Sequence, residues 1–330
     1  MKRPIQIIGS GAYTPQKCVI SGEIDRRLEK PDGWTERTFG ISQRFYASPS
    51  ETTSQMGCFA AQSALDNAGI LGSDLDCIMA ACGVMEQPIP STAVLIQNKL
   101  GLGESGIAAF DINSTCLSFI TALDLAADAI TLGRYEKVLV VSSEIASCGL
   151  DWNNPEAAAI FGDGAAAVIV EKSTNGSGII ASHMETYGVL QDVCRLESGG
   201  TRMRSEDGID DFLDRAKFKM DGRSALSASL SHMPKFIDRL LTKAQLAIDE
   251  IDLVVPHQAS GMSLAMMQRR FELSDSRIVN YFADIGNQIA ASIPNALDTA
   301  LKAGRIKRGD KIMLVGTSAG ISLGAIILEY

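Results

Sequence analysis

The 330-residue chain has only three histidines, and it has no run of about 20 apolar residues, the length that a membrane-spanning helix needs. Its seven cysteines include no C-x-x-C pair, which argues against a disulfide framework or a zinc site. A net charge of −9 argues against nucleic acid or an anionic membrane as the main partner. Gly9 and Gly11 interrupt the first apolar stretch, so we expect no secretory signal and a cytoplasmic protein.

Short apolar runs alternate with longer helical stretches throughout the chain. The runs include IQIIG, CIMAACG, KVLVVSS, AAAVIV, LVVPH and KIMLVGTS. Such alternation is typical of an α/β protein with buried sheets. At 46% hydrophobic residues, the chain has enough apolar material for a large core.

A weak internal repeat divides the chain into two halves. DLDCIMAACG, FDINSTCLSF and GRYEKVLVVSS in the first half resemble EIDLVVPHQA, FADIGNQIAAS and GDKIMLVGTSAG in the second. The spacings agree, because 35 residues separate Asp76 from Asp111 and 32 separate Asp252 from Asp284. We therefore predict an N-terminal half over residues 1–172 and a C-terminal half over residues 173–330. The turns at Cys116 and Asn287 would then be counterparts that a pseudo-twofold axis brings together.

Cys116 is the cysteine with the best context for chemistry. It follows the polar residues Asn113, Ser114 and Thr115 and precedes an apolar run that predicts a buried helix ending at Gly133. Since the N-terminus of a helix favours an anion, we expect a lowered pKa for this thiol. A buried structural thiol is the alternative.

Among the three histidines, His257 is the best partner for that thiol. It follows the strand-like LVVP and opens the loop PHQASG, whereas His183 and His232 lie in patterns that indicate structural roles. Asn287 opens the next helix, and its neutral amide can donate a hydrogen bond without titrating. A helix cap is its alternative role.

Two motif matches fail on their context. GSGAYT at residues 9–14 lacks the third glycine of a dinucleotide fingerprint. GTSAG at residues 316–320 matches a hydrolase nucleophile elbow, but too little chain follows Ser318 to supply an acid and a histidine. The second motif instead predicts backbone that approaches a ligand closely.

Taken together, DINSTCLSF, FGDGAAAVIVE, VVPHQAS, IGNQIAASIPNAL and VGTSAGISLG resemble the thiolase-fold condensing enzymes, in particular the β-ketoacyl-ACP synthase III branch. The resemblance spans nearly the whole chain in order. It implies a five-layer α-β-α-β-α sandwich of two duplicated halves, and a homodimer.

By this resemblance Cys116 is the acylated nucleophile, and His257 with Asn287 holds the thioester oxygen of the extender unit. The oxyanion of acylation would be held by the backbone N–H groups of Cys116 and Ala319. Further implied roles are substrate contacts at Trp34, Ile89, Phe161, Ser260 and Gly320, and carrier docking at Arg269 and Arg270. The resemblance implies no metal and no redox cofactor, only CoA or acyl-carrier thioesters as substrates.

Some positions depart from the family pattern. Trp34 is present, but Thr38 and Pro155 replace two arginines that usually grip the nucleotide of CoA, and Arg37 lies one position early. Ile89, smaller than the usual phenylalanine, favours a medium or branched acyl group.

The resemblance favours decarboxylative condensation, in fatty-acid initiation or in a specialised lipid or polyketide pathway. The alternatives are an acyltransferase that passes the acyl group from Cys116 to oxygen or nitrogen, and a non-catalytic dimer partner of an active condensing enzyme.

Overall fold

The computed structural model describes residues 2–203, 206 and 208–330. Its strands are β1 (Ile5–Tyr13), β2 (Lys17–Ile20), β3 (Gln43–Tyr46), β4 (Cys77–Ala80), β5 (Ala108–Asp111), β6 (Lys137–Glu144), β7 (Gly164–Lys172), β8 (Gly178–Thr186), β9 (Cys194–Arg195), β10 (Lys219–Met220), β11 (Leu253–Pro256), β12 (Lys311–Ser318) and β13 (Ser322–Glu329). Its helices are α1 (Ser21–Arg27), α2 (Trp34–Phe39), α3 (Thr53–Ala68), α4 (Thr92–Lys99), α5 (Ser118–Thr131), α6 (Pro155–Ile160), α7 (Ile209–Arg215), α8 (Gly222–Ala244), α9 (Gly261–Arg270), α10 (Phe282–Ile285) and α11 (Ser292–Lys302).

Two main sheets share one connectivity. The N-terminal sheet has the order β1-β7-β6-β4-β5, and the C-terminal sheet has the order β8-β13-β12-β11. In both sheets the first two neighbouring pairs are antiparallel and the next pair is parallel. In the C-terminal half, a parallel bridge between Val254 and Ile278 takes the place of the pairing between β4 and β5 in the N-terminal half. The chain therefore consists of two duplicated halves, as the repeat predicted.

One aspartate in each half makes the same contact with a neighbouring strand. Asp76 Oδ2 accepts the N–H of Lys137 at 2.8 Å, and Asp252 Oδ2 accepts the N–H of Lys311 at 2.7 Å. Each carboxylate thus ties the start of one strand to the start of its parallel neighbour. The proposed boundary itself stays a prediction; β7 ends at Lys172 and β8 begins at Gly178.

The layers follow from which side chains the sheets bury. Both faces of the central strands are apolar, as strands covered by helices on both sides require. Helices α5 and α11 lie between the two sheets and share one core with both, including Phe119, Leu123 and Leu297. Helices α3 and α4 cover the other face of the N-terminal sheet, and α8 covers the other face of the C-terminal sheet. The result is the predicted five-layer α-β-α-β-α sandwich.

The middle layer holds α5 rigidly. Phe119, Ala122, Leu123 and Ala126 are fully buried, and each large apolar side chain contributes about 1.5–3 kcal/mol by its burial. The segment before α5, which carries Cys116, is therefore fixed at one end. Among the residues described, none of the helices combines the length and the apolar character needed to span a bilayer.

Candidate active site

Cys116 lies in a tight turn between β5 and α5. Asn113 Oδ1 accepts the N–H of Thr115 at 2.9 Å, and the N–H of Ser114 donates to Ser118 Oγ at 3.0 Å. Thr115 has φ +52°, a left-handed conformation that is unfavourable for a β-branched residue. The turn therefore holds Cys116 at the start of α5 with strain stored in the preceding residue.

The turn before α11 repeats this construction. Asn287 Oδ1 accepts the N–H of Ile289 at 2.9 Å, and the N–H of Gln288 donates to Ser292 Oγ at 3.0 Å. Ile289 has φ +49°. The two turns are therefore counterparts, as predicted, in a register that pairs Asn113 with Asn287. The alignment of Asp111 with Asp284 from the sequence is one residue out of that register.

The two turns meet at Gly83, in the loop after β4. A Cβ atom on Gly83 would lie 2.6 Å from Ile289 Cγ2 and 3.3 Å from the carbonyl carbon of Thr115. Because real Cβ atoms do not approach other atoms so closely, only glycine lets these three segments come together. This loop is therefore part of the site, and the sequence analysis had named only Ile89 in it.

His257 packs against strand β12 beside the cysteine turn. Its N–H donates to Val315 O at 2.8 Å, which continues the pairing of β11 with β12. A Cβ on Gly316 would be 2.8 Å from His257 Cβ and 3.2 Å from Leu117 Cδ2. Gly316 thus brings the histidine next to the residue that follows Cys116.

Burial keeps His257 neutral. The side chain is 5% exposed, and desolvation lowers its pKa to about 4. Within the described part of the chain, its Nδ1 atom has no hydrogen-bond partner. A neutral imidazole carries one N–H donor and one acceptor nitrogen, so the ring can donate to a ligand oxygen without carrying charge.

Both polar atoms of the Asn287 amide form hydrogen bonds, and among the described residues one of its two side-chain N–H groups has no partner. Its Nδ2 donates to Ala259 O at 3.3 Å, and its Oδ1 is taken by Ile289. Since a side-chain amide has two N–H donors, one N–H remains for a ligand. The backbone N–H of Asn287 donates to Ile160 O at 2.8 Å, which places the buried Phe161 beside it.

The prediction of a lowered pKa for Cys116 is wrong. The pKa of this thiol is raised to about 12, mainly because burial desolvates it, and the nearby carboxyl of Glu144 acts in the same direction. The backbone N–H groups of Cys116 and Ala319 act in the opposite direction. The dipole of the helix is outweighed because desolvation disfavours the charged thiolate. These two N–H groups are the pair that the resemblance implied as an oxyanion hole.

Glu144, at the end of β6, is a site residue that the sequence analysis missed. It is fully buried and accepts the N–H of Gly83 and, at 3.2 Å, the N–H of Val84. Desolvation raises the pKa of its carboxyl to about 8, although these N–H groups and that of Ala290 oppose the shift. A lone glutamate after the apolar run KVLVVSS was the only available signal.

The other implied substrate contacts are spread around this centre. Trp34 begins α2 and packs edge-on against Phe39, with ring centroids 5.3 Å apart. The carbonyl oxygen of Phe39 would lie 2.8 Å from a Cβ on Gly261, so α2 adjoins the start of α9. Ser260 caps α9 by accepting the N–H of Ser263 at 3.1 Å.

Two implied contacts lie in loops. Ile89 is 86% exposed in the single chain, so a contact with the acyl group would have to come from a partner subunit, and this role stays a prediction. Gly320 follows Ala319 in the turn between β12 and β13. Arg269 and Arg270 are exposed in the last turn of α9, where a docking role also stays a prediction.

Comparisons with known proteins agree with this architecture. Residues 110–188 match the family model of 3-oxoacyl-[acyl-carrier-protein] synthase III, and residues 241–330 match the model of its C-terminal part. The β-ketoacyl-[acyl-carrier-protein] synthase III of Methylococcus capsulatus is 33% identical over 330 residues, covering 100% of both chains.

Solved structures show the same likeness. The synthase III of Aquifex aeolicus superposes with a TM-score of 0.90 at 32% identity, covering 99% of this chain and 100% of its own. The enzyme of Thermus thermophilus superposes with a TM-score of 0.88 at 29% identity and 98% coverage of both chains. With matching sheets, turns and sequence over its whole length, the chain belongs to the β-ketoacyl-[acyl-carrier-protein] synthase III family of thiolase-fold condensing enzymes.

Proposed function

We propose that this protein condenses an acyl group, held as a thioester on Cys116, with a malonyl-type thioester to give a β-ketoacyl product. One observation carries the proposal. The turns that carry Cys116 and Asn287 meet at Gly83, and Gly316 brings the neutral His257 next to Leu117, which follows Cys116. A thiol, a neutral imidazole and an amide N–H are the groups that acyl transfer followed by enolate formation needs.

In the first step the sulfur of Cys116 attacks the carbonyl carbon of an acyl thioester. Because burial raises the pKa of the thiol to about 12, the proton leaves as the C–S bond forms and not beforehand. The tetrahedral oxyanion is stabilised by the N–H groups of Cys116 and Ala319. Collapse of this intermediate breaks the bond to the leaving thiol, which takes up the proton.

In the second step a malonyl-type thioester loses CO₂. The electron pair of the broken C–C bond moves into an enolate, whose oxygen needs hydrogen-bond donors. His257 and Asn287 each supply one N–H. A neutral histidine suits this role because its N–H is a far weaker acid than an imidazolium and does not protonate the enolate, which would quench the nucleophile.

Carbon–carbon bond formation completes the cycle. The enolate carbon attacks the acyl carbon on Cys116, the C–S bond breaks, and the sulfur leaves and takes up a proton. Both reactants are held in one site, so the step gains the effective molarity of an intramolecular reaction, worth up to about 7–11 kcal/mol in well-oriented cases.

The names of the relatives support a proposal for the substrates. The relatives are named for acyl carrier protein, and an acidic carrier fits the exposed pair Arg269 and Arg270. We propose CoA or carrier thioesters as substrates, a homodimer in which Ile89 limits the acyl pocket of the partner, and chemistry without a metal or redox cofactor. The pathway is fatty-acid initiation or a specialised lipid or polyketide route.

Intact-protein mass spectrometry tests this function. The protein and its Cys116→Ser variant are incubated with a panel of acyl-CoA and acyl-carrier thioesters, and malonyl thioester is then added. We expect an acyl adduct on the wild type only, discharged as a β-ketoacyl product. An adduct that only oxygen or nitrogen nucleophiles discharge would contradict the proposal in favour of acyl transfer. No adduct from any donor would contradict it in favour of a non-catalytic partner.

A further inference from the structure

A cavity of about 150 Å³ lies between helices α8 and α9, and His257 is one of its lining residues. Apolar side chains line it: Leu226, Leu230 and Met233 from α8, Leu264 and Met267 from α9, and Phe271 directly after α9. His257 and Gly316 also line it. Cys116, Asn287 and Phe161, all within the described ranges, are not among its lining residues.

The hydroxyl groups in the cavity are mostly already engaged. Ser229 Oγ donates to Ala225 O at 2.9 Å, and Ser263 Oγ donates to Ser260 O at 2.8 Å. A ligand rich in amides or hydroxyls, such as a pantetheine arm, would therefore find few partners and would lose hydrogen bonds on entry. The wall suits a hydrocarbon group.

Residues of both helices leave space in the cavity and allow its shape to change. Pro234 lies inside α8 and lines the cavity, and an interior proline removes a helical hydrogen bond and kinks a helix. Met233, Met266 and Met267 contribute flexible thioether side chains that adjust to irregular ligands. Leu230, which is 45% exposed, and the exposed Arg270 mark the open side.

The position of His257 connects this cavity to the chemistry, on the function proposed above. If the imidazole holds the thioester oxygen of the extender unit, the α-carbon of that unit lies one bond beyond the thioester carbon. A substituent on the α-carbon then begins within reach of the cavity that His257 lines. The acyl group on Cys116 does not share this geometry, since Cys116 does not line the cavity.

We propose that this cavity binds a hydrocarbon substituent on the α-carbon of the extender unit, so that the enzyme accepts alkylmalonyl thioesters as well as malonyl thioesters. An engineered apolar cavity of about this volume binds benzene, so substituents of about four to six carbons match its size. The reaction balances as before: CO₂ leaves, the alkyl-bearing enolate carbon bonds to the acyl carbon, and Cys116 is released. The product is an α-alkyl-β-ketoacyl thioester.

The test compares two extenders on the same acyl-enzyme. Malonyl-pantetheine and butylmalonyl-pantetheine are added separately to the protein acylated on Cys116, and the products are quantified by mass spectrometry. Leu230→Trp and Met267→Trp each fill the cavity, and we expect them to lower the butylmalonyl-to-malonyl ratio of kcat/KM about tenfold or more. Leu132→Trp is the matched control, because Leu132 is 84% exposed at the end of α5.

The outcomes separate this inference from the proposed function. Reaction of both extenders, with the ratio lowered only by the two filling variants, supports the inference. Reaction of malonyl-pantetheine alone, or an equal loss for both extenders in the filling variants, overturns it and leaves the proposed function intact. Failure of both extenders on a fully acylated protein overturns both. The acyl mass on Cys116 confirms in each variant that the site is folded.

Discussion

Asn113 and Asn287 are the same structural element in two copies. Each side-chain oxygen accepts the N–H of the residue two positions later at 2.9 Å. Each amide nitrogen donates to a loop carbonyl, Gly83 O at 3.2 Å for Asn113 and Ala259 O at 3.3 Å for Asn287. The copies differ in surroundings, because Asn113 is exposed whereas Asn287 is 6% exposed and lies beside the histidine loop.

Because of this difference, the same substitution at the two positions should slow different steps of the reaction. Asn287→Ala removes an enolate donor, so condensation should slow about 10²–10³-fold while acylation of Cys116 continues. Asn113→Ala instead frees the turn that precedes Cys116, so acylation should slow more than condensation. Single-turnover acylation and discharge of a preformed acyl-enzyme, followed by mass spectrometry, measure the two steps. Equal effects of both variants on both steps would refute the assigned roles.

The buried histidine makes stability depend on pH at the acidic end. The pKa of His257 falls from 6.5 to about 4 on folding, so the unfolded chain binds a proton that the folded chain does not. Stability is therefore full above pH 6.5 and decreases by about 3 kcal/mol as the pH falls toward 4. Urea unfolding between pH 4 and 7 measures this slope. His257→Gln should flatten it, and an unchanged slope in that variant would show that other groups cause it.

Glu144 should make stability depend on pH in the opposite direction. Its pKa rises from 4.5 to about 8 on folding, so the folded chain holds a proton that the unfolded chain has lost. Its contribution to stability is present below pH 4.5 and is lost as the pH rises toward 8. Glu144→Gln should remove this loss in urea unfolding between pH 5 and 8. Above pH 8, where the Glu144 carboxylate is ionised, the rate of Cys116 alkylation should also be higher in that variant, because a nearby negative charge that raises the pKa of the thiol is gone.

The strained residue before the nucleophile gives a prediction about stability and activity together. Thr115 has φ +52° and a buried Oγ1 without a hydrogen-bond partner in the described chain. Thr115→Gly should relieve both costs and stabilise the protein by about 1 kcal/mol, while acylation of Cys116 slows because the turn becomes mobile. Thr131→Gly is the control, since Thr131 lies in α5 and glycine there should destabilise by about 0.5–1 kcal/mol. Destabilisation by both variants would show that Thr115 is not strained.

Carrier docking at the end of α9 can be tested by charge reversal. Arg269→Glu should raise KM about tenfold for a carrier-bound substrate and leave KM for a pantetheine substrate unchanged, because only the carrier brings an acidic surface. The difference should shrink at high salt. Arg134→Glu, at an exposed arginine after α5, is the control and should have no such effect. Equal KM values for the carrier in the wild type and Arg269→Glu would place docking elsewhere.

Local sequence patterns predicted much of the fold. Apolar runs such as KVLVVSS and KIMLVG became β6 and β12, because strands covered on both faces must be apolar throughout. Repeated spacings from Asp76 and Asp252 pointed to two halves, and both carboxylates make the same contact in the fold. The family resemblance added the layer order, which short-range patterns do not contain.

The pKa values of the site residues could not be predicted from the sequence. The position of Cys116 before a helix suggested a lowered pKa, yet burial dominates and raises it to about 12. Glu144 was overlooked because its partners, Gly83 and Val84, are some 60 residues away in the chain. Desolvation depends on what surrounds a group in space, and that cannot be read from its neighbours in sequence.

By itself the sequence determined the alternation of strands and helices, the duplication, and which cysteine, histidine and asparagine lie at turns between elements, because periodicity and turn chemistry act locally. The tertiary structure alone decided that the two turns meet at Gly83, that His257 lies between the cysteine turn and an apolar cavity, and that its imidazole is neutral. Close packing and removal of water act between residues far apart in the chain, so only the folded protein establishes them.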